Sequence, residues 1–192
     1  FDDGPNEPFT SQILDFLDTE DIKATFFQVA KAVQKYPDIS RSMIKSGHVI
    51  GNHSLSHKFS NYISQPSFKK EIESSQKIFK SVIGKEPVFF RPPWLFRTPI
   101  LLKSLRSFGL IPVSGIFCSD LEVFHVNSKS LASTTIKRAR PGGILIFHDG
   151  YNGKGADRRQ TVEGLKIAVK QLRLDGYEFV TVSELFDIKP YL

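Results

Sequence analysis

The segment ATFFQV, residues 24–29, gives the clearest indication of how this 192-residue chain folds. It is short and rich in β-forming residues, with two phenylalanines at its centre, which is typical of a buried strand. A helix is predicted before it at residues 10–19, with apolar side chains on one face, and another after it at residues 37–45. Gly47 ends the second helix, and HVIG at residues 48–51 predicts the next strand. Helix and strand therefore alternate around ATFFQV, which favours an α/β fold.

The same alternation continues to the end of the chain. A long helix is predicted at residues 66–83, and further helices after Pro99, at residues 130–139 and around residues 162–172. Short apolar segments between and after the helices predict strands, and these are residues 88–90, 110–117, 143–147 and 177–182. We therefore expect one α/β domain over residues 1–192, with a mainly parallel sheet that is either open or closed.

The composition excludes several classes of protein. Hydrophobic residues make up 40% of the chain and charged residues 24%, which is ordinary for a globular domain and unlike a disordered chain. No apolar segment is long enough to predict a membrane span, and no signal segment is expected at the start. The net charge of +6 is scattered without a long basic block, which argues against nucleic-acid binding. The single cysteine, Cys118, cannot form an internal disulfide.

The first residues of the sequence are unusual. Phe1 leads directly into DDGP at residues 2–5, an acidic turn of the kind that follows a strand. No strand precedes this turn in the sequence. We therefore expect the chain to be a fragment or a processed product of a longer one, with its first strand truncated.

Polar residues gather at the predicted ends of the strands. They are the acidic pair Asp2 and Asp3, the segments at residues 53–57, 91–94 and 118–120, and the pair His148 and Asp149. In α/β folds the carboxyl ends of parallel strands meet at one edge, and ligands bind there. We therefore expect these residues to belong to one site.

Three of these residues have the composition of a metal site. His53 and His57 are four residues apart, so their imidazoles share a face if the segment is a helical turn. The pair alone also fits surface or hydrogen-bonded histidines, but Asp3 could supply a third ligand. Two histidines and one carboxylate with an open position are typical of a catalytic metal site. Asp2, which points the opposite way from Asp3 on an extended segment, could face a water; the alternative for this acidic pair is a solvated turn.

The remaining polar residues each allow two interpretations. Arg91 stands before two prolines and could hold a carboxylate in a fork geometry, or it could be an ordinary surface arginine. Trp94 could form the wall of a sugar site or simply pack. His148 leaves an apolar strand and could act as an acid or base, or it could be a hydrogen-bonded core histidine. Asp120, at another strand end, could orient that imidazole.

Taken in order, four segments resemble the motifs of the polysaccharide deacetylase family, carbohydrate esterase family four. They are FDDGP at residues 1–5, HSLSH at 53–57, RPPW at 91–94 and IFH at 146–148. The resemblance extends over nearly the whole chain, including the ending at residues 176–185. It implies a deformed (β/α) barrel with mainly parallel strands. One departure is that Leu121 follows Asp120, where the family usually has an aromatic residue.

The resemblance also implies a role for each site residue. A divalent metal would be bound by Asp3, His53 and His57, with Zn²⁺ as the default and Co²⁺, Ni²⁺ or Fe²⁺ as alternatives for the same ligands. The residues that act on the substrate would be the general base Asp2, the arginine that holds it (Arg91), the general acid His148, the acidic residue that tunes this acid (Asp120), the oxyanion donor Trp94 and the acetyl-pocket residue Ile146.

The function implied by the resemblance is metal-dependent hydrolysis of N-acetyl groups on a polysaccharide that contains N-acetylglucosamine, such as peptidoglycan or a chitin-type polymer, with release of acetate. Two alternatives stay open: a hydrolase of a non-sugar amide or imide on the same scaffold, and a catalytically inactive carbohydrate-binding module. The expected partner is the N-acetylated polysaccharide. We further expect a monomer that is secreted, periplasmic or associated with the cell envelope.

Overall fold

Parallel strands form the centre of the molecule. The computed structural model describes residues 1–62, 64–120, 122–124 and 127–192. Four strands pair in parallel in the order in which they occur in the chain: β1 (Thr25–Gln28), β2 (Val49–Asn52), β3 (Phe89–Phe90) and β4 (Ile111–Pro112). Two more strands, β5 (Ile116–Phe117) and β6 (Leu145–Ile146), form a second parallel pair. The segment ATFFQV thus supplies β1, as predicted.

The first residues of the chain join the two sheets. Asp2 forms parallel bridges to Phe27 on one side and to His148 on the other. Its N–H donates to the carbonyl of Phe147 at 2.9 Å, and the carbonyl of Phe1 accepts from the N–H of Phe27 at 2.7 Å. The start of the chain therefore lies between β6 and β1 and is bonded on both sides. The resulting layer, with its helices outside, is the predicted deformed (β/α) barrel.

Helices cover the outside of the strands. They are α1 (Phe9–Thr19), α2 (Ala30–Lys35), α3 (Pro37–Lys45), α4 (Gln65–Ile83), α5 (Pro99–Ser107), α6 (Ser128–Arg138), α7 (Arg159–Leu174) and α8 (Val182–Phe186). Short 3₁₀ turns lie at residues 59–62, 93–95 and 122–124. Among the described residues, no helix combines the length and the apolar character that crossing a membrane requires.

The largest hydrophobic cluster lies between the strands and these helices. Ile13 and Leu17 of α1 pack there with Phe26 of β1 and Ile50 of β2, and all four are almost completely buried. Each such side chain contributes roughly 1.5–3 kcal/mol when it is fully buried. This packing holds the strands firmly, and the loops that follow the strands are therefore anchored at the edge where the polar residues lie.

Two predicted strands differ from the structure. Residues 110–117 contain β4 and β5, which belong to different sheets, and between them two carbonyl groups accept hydrogen bonds from Arg91. Residues 177–182 do not form a strand. Thr181 instead begins α8 in a capping box, because its N–H donates to the carboxylate of Glu184 and its hydroxyl accepts from the N–H of that residue. Backbone groups used in this way cannot pair with a neighbouring strand.

Candidate active site

A pocket at the carboxyl ends of the strands brings most of the predicted site residues together. Seven of them line it: Asp2, Asp3, His53, His57, Trp94, Asp120 and His148. Arg91 does not belong to the described residues that line this pocket, and it is 1% exposed. A second cavity, lined mainly by apolar side chains, lies at the opposite ends of β1 and β6 and includes none of the predicted metal ligands. The expectation of one site at one edge of the strands is therefore correct for these seven residues, whereas Asp149 is buried against the hydroxyl of Thr10 and does not belong to the described residues that line the pocket.

Asp3, His53 and His57 form a compact cluster. One potential ligand atom from each residue lies within 4.8 Å of the others. Oδ1 of Asp3 is 3.4 Å from Nε2 of His53 and 3.2 Å from Nε2 of His57. All three residues are buried, and Oδ1 of Asp3 has no hydrogen-bond partner among the described residues. Because buried carboxylate oxygens are normally hydrogen-bonded, this orphaned oxygen facing two imidazoles fits a divalent cation.

The backbone of β3 sets the orientation of the first imidazole. Nδ1 of His53 lies 2.6 Å from the carbonyl oxygen of Arg91. A carbonyl only accepts hydrogen bonds, so Nδ1 carries the proton and the lone pair of Nε2 faces Asp3. Histidines that bind metals commonly use the second nitrogen in this way.

Residues 53–57 do not form a helical turn. Ser54 and His57 have left-handed backbones, with φ of 75° and 51°. The side chain of Asn52 accepts from the N–H of Ser54 at 2.8 Å, and the hydroxyl of Ser54 accepts from the N–H of His57 at 3.0 Å. These side-chain hydrogen bonds replace a helical turn and bring the two imidazole centroids to 4.9 Å. The two histidines therefore converge as predicted, but without the helical turn that was one way to bring them to the same face.

Burial also fixes the protonation of the second imidazole. Burial, helped by the neighbouring His53, lowers the pKa of His57 to about 4 although Asp3 acts in the opposite direction. Burial favours the neutral form of Asp3, but the two imidazoles outweigh it and hold the pKa of this carboxyl well below its usual range. At neutral pH the cluster therefore consists of a carboxylate and a neutral His57, the forms that bind a metal.

Glu71 of α4 supports the loop that carries both histidines. Its carboxylate accepts from the N–H of Ser56 at 3.0 Å, from the hydroxyl of Ser56 at 2.9 Å and from the side-chain amide of Asn61 at 2.7 Å. Glu71 is 5% exposed. In the sequence, Glu71 looks like one of several charged positions on a long helix, and nothing there distinguishes it from the others.

Asp2 and Arg91 form a buried ion pair beside the cluster. Nη1 of Arg91 donates to Oδ1 of Asp2 at 2.7 Å, and the same guanidinium donates to the carbonyls of Val113 and Ser114. The guanidinium carbon lies 4.0 Å from the ring centroid of Phe27. Burial favours the neutral acid, but Arg91 outweighs it and lowers the pKa of Asp2. Asp2 is therefore ionised at neutral pH, and Arg91 is not a surface arginine.

His148 is held from behind by Glu122. Oε2 of Glu122 lies 2.9 Å from Nδ1 of the imidazole, and Oε1 accepts from the backbone N–H of His148 at 3.0 Å and from the hydroxyl of Thr161 at 2.9 Å. Burial opposes protonation of the imidazole, but the contact with Glu122 outweighs it and raises the pKa of His148. The ring of Phe117 is parallel to the imidazole at 6.0 Å between centroids. His148 is thus suited to carry a proton.

The expectation that Asp120 orients His148 is wrong. Its carboxylate is bound by both terminal nitrogens of Arg138, at 2.9 and 2.8 Å, and its side chain is 71% exposed. Glu122, two residues further on, makes the contact with the imidazole. The departure at Leu121 was the available signal that the acidic position is shifted here. Leu121 itself lies outside the described residues.

The two residues expected to contact the substrate directly have different surroundings. Trp94 is 46% exposed and lines the pocket, and its ring centroid lies 4.5 Å from that of His57. Ile146 is completely buried and does not belong to the described residues that line the pocket. Its side chain packs over the backbone of Gly115 in the neighbouring segment, because a Cβ at Gly115 would lie 2.8 Å from it. Phe117 supplies the pocket wall on this side.

Backbone strain is concentrated in the loops of this site. Eight non-glycine residues among those described have positive φ, and six of them lie in the loops around the pocket: Asp3, Ser54, His57, Trp94, Leu95 and Asn152. Such conformations cost about 1–3 kcal/mol each and persist only where the surroundings impose them. Their concentration here indicates that the pocket is built for function rather than for stability.

The chain is similar to known deacetylases in sequence and in structure. Residues 1–113 match the family model described as polysaccharide deacetylase. A peptidoglycan-N-acetylglucosamine deacetylase of Bacillus cereus is 35% identical over 190 residues, which are 98% of this chain and 87% of the relative. The crystal structure of a peptidoglycan N-acetylglucosamine deacetylase superposes with a TM-score of 0.91 at 27% identity, covering 99% of this chain and 87% of that one. A family 4 acetyl xylan esterase from Clostridium thermocellum, solved with a cobalt ion, gives a TM-score of 0.87 at 35% identity, covering 97% and 88%.

Proposed function

The chain belongs to the polysaccharide deacetylase family, and from this premise we propose that it is a metal-dependent hydrolase that removes N-acetyl groups from a polysaccharide containing N-acetylglucosamine. The observation that carries the proposal is the metal-type cluster of Asp3, His53 and His57 in the same pocket as an ionised Asp2 and a protonatable His148. Peptidoglycan is the first candidate polymer, because the Bacillus cereus relative is named for it. A chitin-type polymer is the second.

The chain's own residues fit a divalent cation. Asp3, His53 and His57 would bind it, and two histidines with one carboxylate suit zinc as well as cobalt, nickel or iron. We propose zinc. When bound, the metal supplies Lewis-acid polarisation of the amide carbonyl and activates water at neutral pH.

Asp2 is the proposed general base. Arg91 binds one of its carboxylate oxygens at 2.7 Å and keeps the group ionised. Asp2 lines the pocket, so its second oxygen is the one that takes the proton of the attacking water. The base is therefore fixed in position by the same guanidinium that fixes its charge.

His148 is the proposed general acid. Glu122 raises its pKa and holds Nδ1, which leaves Nε2 to protonate the departing amine. The backbone N–H of Trp94 would donate to the oxyanion, a contact that typically contributes roughly 3–4 kcal/mol to the transition state. The products are acetate and a free amino sugar.

The alternatives differ in what they require of the pocket. An inactive carbohydrate-binding module has no need for the orphaned oxygen of Asp3 or for the buried pairs of Asp2 with Arg91 and of His148 with Glu122. A hydrolase of small amides would use the same groups but would not act faster on a polymer than on a small amide. We also propose that the protein acts as a monomer at the cell envelope or outside the cell, where peptidoglycan is found.

The test is acetate release from N-acetylglucosamine oligomers and from peptidoglycan, with protein stripped by a chelator and then given zinc. Small acetamides and acetylated xylan serve as comparison substrates. The proposal predicts release from the N-acetylated glycans that disappears on stripping and returns with zinc. Oligomer binding without any release would support the inactive module, and preferential cleavage of the small amides would support the other hydrolase.

A further inference from the structure

Exposed aromatic side chains are concentrated around the pocket. Among the described residues, five large aromatic side chains are strongly exposed: Phe59 (55%), Trp94 (46%), Phe124 (70%), Tyr151 (41%) and Phe186 (48%). The first four lie at the pocket or in contact with a residue that lines it. Large exposed apolar patches bordered by polar residues commonly mark binding sites on soluble proteins. The distribution therefore marks this rim as a binding surface.

The exposed rings lie on both sides of the metal-type cluster. On one side, the ring centroid of Phe59 is 5.5 Å from that of Trp94, which in turn contacts His57. On the other side, Phe124 and Tyr151 line the pocket from the loops that follow β5 and β6. The start of the chain, with its acidic pair, lies between these sides, because it pairs with both sheets. A molecule that crosses the pocket would therefore meet an aromatic ring before and after the cluster.

We propose that Phe59, Phe124 and Tyr151 bind the sugar units that flank the reacting unit of the polymer. The inference rests on the proposed function. A pyranose ring presents C–H groups on its faces, and an aromatic ring packs against such a face while the hydroxyls stay in water. Aromatic side chains suit this purpose because they offer a large apolar area and lose little conformational freedom on binding.

These three residues stand apart from the groups that carry the chemistry. None of them lies in the segments FDDGP, HSLSH, RPPW or IFH. They are thus specificity-determining residues, and their effect depends on the length of the glycan. A longer oligomer has more sugar units beside the reacting one and can therefore contact more of these rings than a short oligomer.

The test compares Phe59→Ala, Phe124→Ala and Tyr151→Ala on a series of N-acetylglucosamine oligomers of increasing length. Phe186→Ala is the matched control, because this ring is equally exposed but belongs to α8 and not to the pocket. The loss in kcat/KM is expected to grow with chain length and to reach on the order of tenfold per ring on long oligomers, through KM rather than kcat. The control should follow the wild-type protein at every length.

A second measurement separates this inference from the proposed function. Binding of the same oligomers to chelator-treated protein, measured by calorimetry, needs no turnover. If the wild-type protein binds long oligomers but releases no acetate, the proposed function fails, and weaker binding by the three variants still supports the aromatic sites. Equal affinity in variants and control, or a loss of kcat/KM that is the same at every chain length, would overturn the inference.

Discussion

Replacement of Glu122 by glutamine is expected to move the alkaline limb of the pH–rate profile to lower pH. In the proposed mechanism His148 must be protonated to donate to the leaving amine, so the rate falls as the pH rises through the pKa of His148. Glu122 raises this pKa from a distance of 2.9 Å. The substitution removes the negative charge of Glu122 but leaves the burial that lowers the pKa of His148, which is then opposed only by the weaker effects of Asp3 and Asp2.

The size of the shift follows from the contact that is lost. A hydrogen bond to a charged group contributes about 1.5–3 kcal/mol. One pKa unit corresponds to about 1.4 kcal/mol, so the alkaline limb should move by about 1–2 pH units. The assay is kcat/KM for acetate release across a range of pH with zinc in excess, because this parameter reports the ionisation of the free enzyme. Thermal unfolding of the variant checks that the fold is retained.

Asp120→Asn provides the matched control, since it removes the same charge from the same loop. Asp120 is exposed and bound to Arg138, and it makes no contact with His148 among the contacts of the described residues. Its variant should keep the wild-type profile. A shift in the Asp120 variant together with an unchanged profile in the Glu122 variant would refute the assignment.

Three further predictions concern the separate roles of the base and a metal ligand, the support of the histidine loop, and the packing at Gly51. Asp2→Asn should abolish turnover while bound zinc is retained, whereas His53→Ala should lose both; loss of zinc from the Asp2 variant, measured by elemental analysis, would contradict the separate roles. Glu71→Gln should lower the free energy of unfolding by about 2 kcal/mol, or about 4–8 °C in Tm, and weaken zinc binding in calorimetry, because buried donors lose their acceptor. The exposed Glu73→Gln on the same helix is its control and should change neither quantity. Gly51→Ala should reduce the free energy of unfolding by about 1–3 kcal/mol and so lower Tm, because the added Cβ would lie 2.5 Å from the ring of Phe27, on which the guanidinium of Arg91 packs. An unchanged Tm would show that the ring of Phe27 can move.

Local patterns were enough to predict most of the strands and most of the site. ATFFQV is rich in β-forming residues, and all four positions of its strand are buried, including the polar Thr25 and Gln28. The clustering of Asp3, His53 and His57 could also be predicted, because strand ends in a parallel sheet share one edge. Their exact approach depends on a turn with two left-handed residues, and the four-residue spacing of the histidines does not specify that turn.

Long-range partners could not be predicted in the same way. Glu122 and His148 are 26 residues apart, and apart from the unusual Leu121 nothing in the local sequence distinguishes Glu122 from Asp120 as the partner. Tyr177 to Val182 has the composition of a strand, but the N–H of Val182 donates to the hydroxyl of Thr25, which is 157 residues away. In both cases tertiary contacts decide between local options that are close in energy.

The two ends of Arg91 link both halves of the proposed chemistry. Its guanidinium holds Asp2, and its main-chain carbonyl holds the imidazole of His53. The proposed base and one proposed metal ligand are therefore both positioned by the same residue, one by its side chain and the other by its main chain. A small displacement of the main chain at Arg91 would disturb the base and the metal ligand together. Substitutions of Glu122, which contacts the general acid, or of Glu71, which supports the histidine loop, are expected to alter proton transfer or metal binding separately.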